Sequence, residues 1–275
     1  MNETFEARYF SGATLYGDDF DEANIRRWYE EEEHAYYDLV QTYDNYKYDY
    51  NAANQFHTYR FLNRRYECCV AIGCATGDDV APLGDRVDHF VAIEPAEKWW
   101  KSEIGGRPAR FIKPSLFGDI PLRDESADLI VCLGVLHHIP NVSHVFSEMA
   151  RILSPSGSMV IREPISTMGD WRIARPGVTR NERGFPPGWL EQKAETLGLQ
   201  IERASYCGFP LTGRVAKILG LTPAYNSPSM VRFDAALSQL MKWNLHYHRN
   251  SFLKKMAPGA RSFIFRKVES SGARV

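Results

Sequence analysis

The feature that most constrains this chain is a short apolar run that ends in a turn of small residues. Val70-Ala71-Ile72 leads into Gly73-Cys74-Ala75-Thr76-Gly77-Asp78-Asp79, and a second apolar run, Val91-Ala92-Ile93, ends in Glu94, 17 residues after Gly77. A buried strand followed by a glycine turn, then a second strand ending in a carboxylate, is the pattern by which a parallel α/β sheet grips a nucleoside. The turn lets backbone approach the ligand, and the acid accepts hydrogen bonds from ribose hydroxyls. The small residues fall at Gly73, Ala75 and Gly77, and Asp78 stands where the dinucleotide fingerprint G-x-G-x-x-G has its last glycine. An acid there suits a pyrophosphate poorly and a positively charged cofactor well.

The rest of the chain extends the α/β reading. Strands are predicted at Tyr66 to Ile72, Val87 to Ile93, Ala109 to Lys113, Ala127 to Leu133, Ser158 to Arg162, Gln200 to Cys207 and Arg261 to Val268. Helices are predicted from Gly77 to Leu83, after the second strand at Trp99 and Trp100, from Ser143 to Leu153, and from Pro187 to Leu197. Alternation of this kind implies a mostly parallel sheet. A helix beginning near Asp21 or Asn24 and running through Trp28 to Leu39 precedes the sheet. Residues 208–260 separate the sixth and seventh strands, too long a stretch to be a structureless loop. Apolar residues at helical spacing from Phe233 to His248 predict a helix there. The expected organisation is an N-terminal helical cap segment (1–62), a cofactor-binding α/β core (63–207), a helical cap insertion (208–260), and the last strand with a tail (261–275).

Two further segments carry a family resemblance. Ala127 to Leu133 runs into Gly134-Val135-Leu136-His137-His138-Ile139-Pro140, and Glu148-Met149-Ala150-Arg151-Ile152-Leu153-Ser154-Pro155-Ser156-Gly157 follows. With the glycine turn and Glu94, these resemble the class I S-adenosylmethionine-dependent methyltransferases, specifically the small-molecule, type 11-like branch with an "LHHIP" loop and an "R-x-L-x-P-x-G" helix end. The resemblance covers Glu67 to Pro164. It implies a Rossmann-like seven-stranded, mostly parallel sheet whose last strand is antiparallel and lies beside the sixth. It implies S-adenosyl-L-methionine as cofactor, held by Gly73, Cys74, Ala75, Gly77, Asp78, Glu94, Pro95, Ser115, Leu116, Leu133 and Gly134. Where that family has an acid after the third strand, this chain has Leu116 in Ser115-Leu116-Phe117-Gly118-Asp119, so adenine would rest on backbone and apolar groups.

The candidate chemistry lies on the next two strand ends. His137 and His138 follow the fourth strand, and Glu163 ends the fifth beside Arg162 and Pro164. Histidine titrates near neutrality and can take a proton from an acceptor hydroxyl. Two adjacent side chains cannot face one site equally, so one is expected to meet substrate and the other to hold the loop. Glu163 could orient a hydroxyl, act as base or anchor the cap. His246 and His248 are spaced i, i+2, and no cluster has metal-ligand spacing along the chain.

Composition narrows the function classes. The formal net charge of −1 gives no basic excess for nucleic acid, and no apolar run reaches a membrane span. Five cysteines without zinc spacing read as buried thiols of a reducing cytoplasm. Charge is uneven: residues 1–38 hold eleven acids against Arg8, Arg26 and Arg27, whereas residues 213–267 hold ten Lys or Arg against Asp234 alone. That basic stretch either faces the acidic N-terminus or helps bind an anionic substrate. Tyr36, Tyr37, Tyr43, Tyr46, Tyr48 and Tyr50 crowd one span and suit the wall of a polar cavity. The expected function is methyl transfer to a small polar molecule, a sugar or secondary metabolite methylated on oxygen, by a cytoplasmic monomer or homodimer. The alternatives are N- or C-methylation, a non-catalytic S-adenosylmethionine-binding regulator, and a nicotinamide-dependent oxidoreductase.

Overall fold

The computed structural model describes residues 4–42, 48–173, 175 and 178–268, the side chains of 33–42 excepted. Its strands are β1 (Tyr66–Ile72), β2 (Val87–Ile93), β3 (Glu103–Ile104), β4 (Arg107–Ile112), β5 (Ala127–Leu133), β6 (Leu153–Pro164), β7 (Leu199–Cys207) and β8 (Ala260–Lys267). The α-helices are α1 (Glu22–Thr42), α2 (Asn51–His57), α3 (Val142–Ile152), α4 (Trp189–Thr196), α5 (Thr212–Ile218), α6 (Pro228–Leu240) and α7 (Phe252–Lys255). The strands form one sheet in the order β3-β4-β2-β1-β5-β6-β8-β7. β4, β2, β1, β5 and β6 are parallel, and β8 runs antiparallel between β6 and β7. This is the Rossmann-like sheet with an inserted antiparallel last strand that the sequence predicts.

The central strands are apolar without a break because both their faces are covered. Side chains alternate across a strand. Val70 and Ile72 of β1 join Ile130, Cys132, Phe146 and Met149 on one face, and Cys69 and Ala71 join Val131, Val80, Leu83 and Tyr59 on the other.

Four expectations are corrected. The sheet has eight strands rather than seven, because β3 and β4 form a hairpin. Gly105 and Gly106 both have positive φ (+55° and +73°) and make the two-residue turn that such a hairpin requires. No α-helix follows β1; Ala81–Arg86 forms a 3₁₀ segment. Pro82 and Gly84 oppose a longer helix, and the hairpin presses so close to Gly84 that a Cβ there would sit 2.2 Å from the Gly105 carbonyl oxygen. After β2 there is only a short 3₁₀ turn, Glu97–Trp99. Trp100 leaves it to donate its indole N–H to the Glu94 carbonyl and to stack on Phe111. The helix predicted from Phe233 to His248 is α6, which ends at Leu240. Asn244 then turns its amide to the Leu253 and Met256 carbonyls and folds the chain toward α7.

The N-terminal segment and the insertion meet over one end of the sheet. Asp21 accepts from the Asn24 N–H at the start of α1, and Trp28, 1% exposed, donates its indole N–H to the His138 carbonyl. The Asn51 N–H donates to the Asn226 side chain, Asn226 donates back to the Tyr48 carbonyl, and Tyr50 stacks on Tyr225 at 5.2 Å. Asp234, fully buried on α6, accepts from the Gly208 and Phe209 N–H groups and the Thr212 hydroxyl, which pins the insertion to the end of β7. Among the described residues no helix is long and apolar enough to cross a membrane.

Candidate active site

In an open α/β sheet, ligands bind beyond the carboxyl ends of the strands, where the order reverses. Here that point lies between β1 and β5. On the β1–β2 side, Gly73 turns with φ +60° and donates its N–H to the Ile93 carbonyl; a Cβ would collide with Val135. Glu94 sits at the end of β2 and is 2% exposed. Its carboxylate accepts the Ala75 N–H at 2.8 Å and the Ala96 N–H at 3.0 Å, so it braces the glycine turn from beneath. Burial raises its pKa, and those two backbone hydrogen bonds oppose the rise. Each oxygen takes one protein donor, which leaves acceptor capacity on both.

The other residues predicted for this half fall in different environments. Cys74 is buried, and burial pushes its thiol well above the usual range, so it stays protonated. Gly77 is also buried, with φ +81°, packed against Ile104. Asp78 and Pro95 are exposed. The buried acid of the turn is instead Asp79, 7% exposed, whose Oδ1 has no hydrogen-bond partner among the described residues and whose pKa burial raises to about 7. Ser115 and Leu116 are half-buried; Ser115 pairs with Asp119, which turns to His144.

On the far side of the reversal, Gly134 has φ +72° and donates to the Arg162 carbonyl. A Cβ there would meet only the His137 ring, at 3.7 Å, so this floor is open. The turn with its bare backbone, the carboxylate with spare lone pairs and the open Gly134 floor fit a nucleoside cofactor laid across the reversal.

The loop after β5 brings His137, His138 and Glu163 together. Glu163, fully buried, accepts the Val135 and Leu136 N–H groups on Oε1 and meets His137 Nδ1 with Oε2 at 2.7 Å. Burial lowers the His137 pKa, helped by His138, against the pull of Glu163. His138 behaves oppositely: burial works against its charge, but its hydrogen bond to Glu32 at 2.9 Å and the charges of Glu32 and Glu182 raise its pKa. His138 therefore ties α1 to the loop, while the His137 ring borders a cavity.

Three partners in this cluster were not foreseen. Glu32 and Glu182 are distant in sequence from the histidine pair, and no local pattern marks them. Arg183, fully buried, donates to the Tyr16, Leu136, Ile139 and Pro140 carbonyls and holds the loop in shape. His137, His138 and Glu182 also offer ligand atoms within 4.8 Å of one another, an arrangement that sequence spacing does not reveal.

The cavity has a volume of about 350 Å³. It begins at Leu133 and Gly134, passes His137, and extends over the ends of β6, β7 and β8 to Arg162, Tyr48 and Tyr225. The fold thus separates the glycine turn and Glu94, over β1 and β2, from a second chamber roofed by the N-terminal segment and the insertion. Of the tyrosines expected to line such a chamber, Tyr48 and Tyr50 do so. Tyr43 and Tyr46, and the side chains of Tyr36 and Tyr37, lie outside the described residues.

This sheet order, with its strand-end site, is the Rossmann-like fold of solved methyltransferase structures. Residues 70–161 match the family described as "Methyltransferase domain". The chain is 28% identical over 91 residues to 27-O-demethylrifamycin SV methyltransferase of Amycolatopsis mediterranei (strain S699), a match spanning 33% of each protein. The matched region is thus about a third of that relative's length. A solved structure of a candidate methyltransferase from Bacillus halodurans C-125 superposes with a TM-score of 0.53 at 14% identity, covering 80% of this chain and 99% of that one. A candidate sarcosine dimethylglycine methyltransferase from Galdieria sulphuraria gives 0.50 at 18% identity, covering 74% and 80%. These likenesses carry the fold, and S-adenosyl-L-methionine is the cofactor of the matched family.

Proposed function

We propose that this chain transfers a methyl group from S-adenosyl-L-methionine to a hydroxyl of a small polar molecule, a sugar or secondary metabolite. The observation that carries the reading is the His137–Glu163 pair on the wall of a chamber that opens from Gly134. Backbone at Gly73 to Gly77, the Glu94 carboxylate and the Leu133–Gly134 floor are the groups that would hold the cofactor. When bound, S-adenosylmethionine supplies an activated methyl on a sulfonium. The chain must then align the acceptor, exclude water and remove one proton. With Nδ1–H donated to Glu163, the His137 ring presents Nε2 as an acceptor, and burial keeps that ring neutral near pH 7. Nε2 takes the hydroxyl proton as the oxygen–methyl bond forms, and Glu163 holds the tautomer. Acceptor oxygen chemistry is also what the name of the rifamycin-class relative describes for that protein.

The test is calorimetric titration of the full chain with S-adenosylhomocysteine and, separately, NADH. Micromolar binding of the first alone supports the reading, and binding of NADH alone overturns it. Glu94→Ala should weaken S-adenosylhomocysteine binding by roughly tenfold or more, the loss of a charge-assisted hydrogen-bond acceptor. Unchanged affinity in that variant would remove Glu94 from the ribose.

A further inference from the structure

Among the described residues that line the cavity, Arg162 is the one Lys or Arg side chain; the buried Asp79 carboxyl, whose pKa burial raises to about 7, feels its charge without bonding to it. Arg162 reaches the chamber from the end of β6. Among the described residues it makes no ion pair with a carboxylate. Its guanidinium instead donates to the Asn54 side-chain oxygen at 2.5 Å and to the Tyr48 hydroxyl at 3.3 Å, and lies 4.4 Å from the centre of the Tyr50 ring. All three partners are neutral. Removing a cation from water costs several kcal/mol unless a counter-charge or a full set of hydrogen bonds repays it. A guanidinium has five N–H donors, and among the described residues two acceptors meet it.

Tyr48 sharpens the point. Its oxygen already accepts from Asn54 Nδ2 at 2.8 Å and from Arg162. With both lone pairs engaged, its O–H must donate outward, and no acceptor for it occurs among the described residues. Burial raises the Tyr48 pKa, so the phenol keeps that proton at neutral pH. Arg162 and Tyr48 thus present a cation and an adjacent hydroxyl donor to the same chamber. The ring of Tyr50 and the amide of Asn54 hold the guanidinium in place, and a clamped planar fork matches the two oxygens of a carboxylate or phosphate.

We propose that Arg162 and Tyr48 form an anion subsite, so that the acceptor carries a carboxylate or a phosphate. This rests on the methyltransferase reading only in calling the occupant an acceptor. The anion binds Arg162 and Tyr48, and the acceptor's hydroxyl is presented toward His137, which lines the same chamber.

The test is calorimetric titration of the full chain with benzoate, phenyl phosphate and benzamide, each with and without saturating S-adenosylhomocysteine. One or both anions should bind at least tenfold more tightly than neutral benzamide, and the stronger anion distinguishes carboxylate from phosphate. Arg162→Gln should bring the preference within about twofold while leaving S-adenosylhomocysteine affinity unchanged. Tyr48→Phe, which spares the Arg162–Asn54 bond, should reduce the preference several-fold and serves if Arg162→Gln does not fold. Equal binding of all three probes, no binding of any, or a preference that survives both substitutions overturns the proposal. Anion binding without S-adenosylhomocysteine binding would sink the methyltransferase reading and leave the subsite standing. The reverse result would sink the subsite alone.

Discussion

His137 and His138 are neighbours with rings 4.1 Å apart, yet their surroundings drive their pKa values in opposite directions. Separation of this kind assigns different work to identical side chains. His137→Ala should lower kcat by roughly 10²- to 10⁴-fold with S-adenosylhomocysteine affinity retained. His138→Ala should lower kcat by less than about tenfold and cost about 1 kcal/mol of stability, since its main contact is the tie to Glu32. Comparable kcat losses in both variants would remove His137 as the base. Asp79 gives a second residue-scale prediction. Its pKa is about 7 in the fold against an ordinary 3.8. Between those values the folded state holds a proton that the unfolded chain has released, so stability falls as pH rises through that interval. Asp79→Asn should therefore stabilise the fold at pH 8 by on the order of 2–4 kcal/mol, raising Tm there, and change it far less at pH 4.5. Thermal melts at the two pH values decide it.

Individual elements show where local pattern was enough and where it was not. β1, β2 and β5 were legible to the residue, because a strand buried on both faces must be apolar throughout and is bounded by turn residues. α3 was off by one residue at each end, as its apolar stripe and the Pro155–Gly157 stop dictate. The helix predicted from Gly77 to Leu83 failed for one local reason, Pro82 and Gly84, and for one that the local sequence does not contain. Gly84 lies against the Gly105 carbonyl of a hairpin some twenty residues later, and this contact holds the chain in a 3₁₀ form. Gly84→Ala places a Cβ against that backbone oxygen and should cost roughly 1–3 kcal/mol. Urea unfolding should show a lower midpoint with an unchanged m-value. A wild-type midpoint would mean that the hairpin can move away freely. The Gly105–Gly106 pair was itself a readable two-residue turn signal, but its flanks, Ser102-Glu103-Ile104 and Arg107-Pro108-Ala109-Arg110, lack the apolar alternation of a strand.

Across the whole molecule, the second chamber exists because two segments far apart in sequence meet. Asp234 is the clearest joint. It closes the insertion onto the end of β7 through two backbone N–H groups and the Thr212 hydroxyl. Asp234→Ala leaves these donors buried without an acceptor and should cost roughly 3–5 kcal/mol. Limited proteolysis should then cut within residues 208–260 before the sheet. Cleavage at the wild-type rate would show that the insertion is held by apolar packing alone. The sequence by itself determined seven of the eight strands, the glycine turn, and the nearness of Glu94, His137 and Glu163 to the strand ends, because each depends on residues within one strand–turn unit; the place of the last strand came by resemblance. Only the tertiary structure decided that Glu94 braces Ala75, that Asp79 rather than Asp78 is the buried acid, and that Glu32 and Glu182 part the two histidines. It alone set Arg162 on the chamber wall with neutral hydrogen-bond partners, Asn54 and Tyr48. Charge balance and burial are sums over whatever the fold brings together, and chain spacing carries no record of those sums.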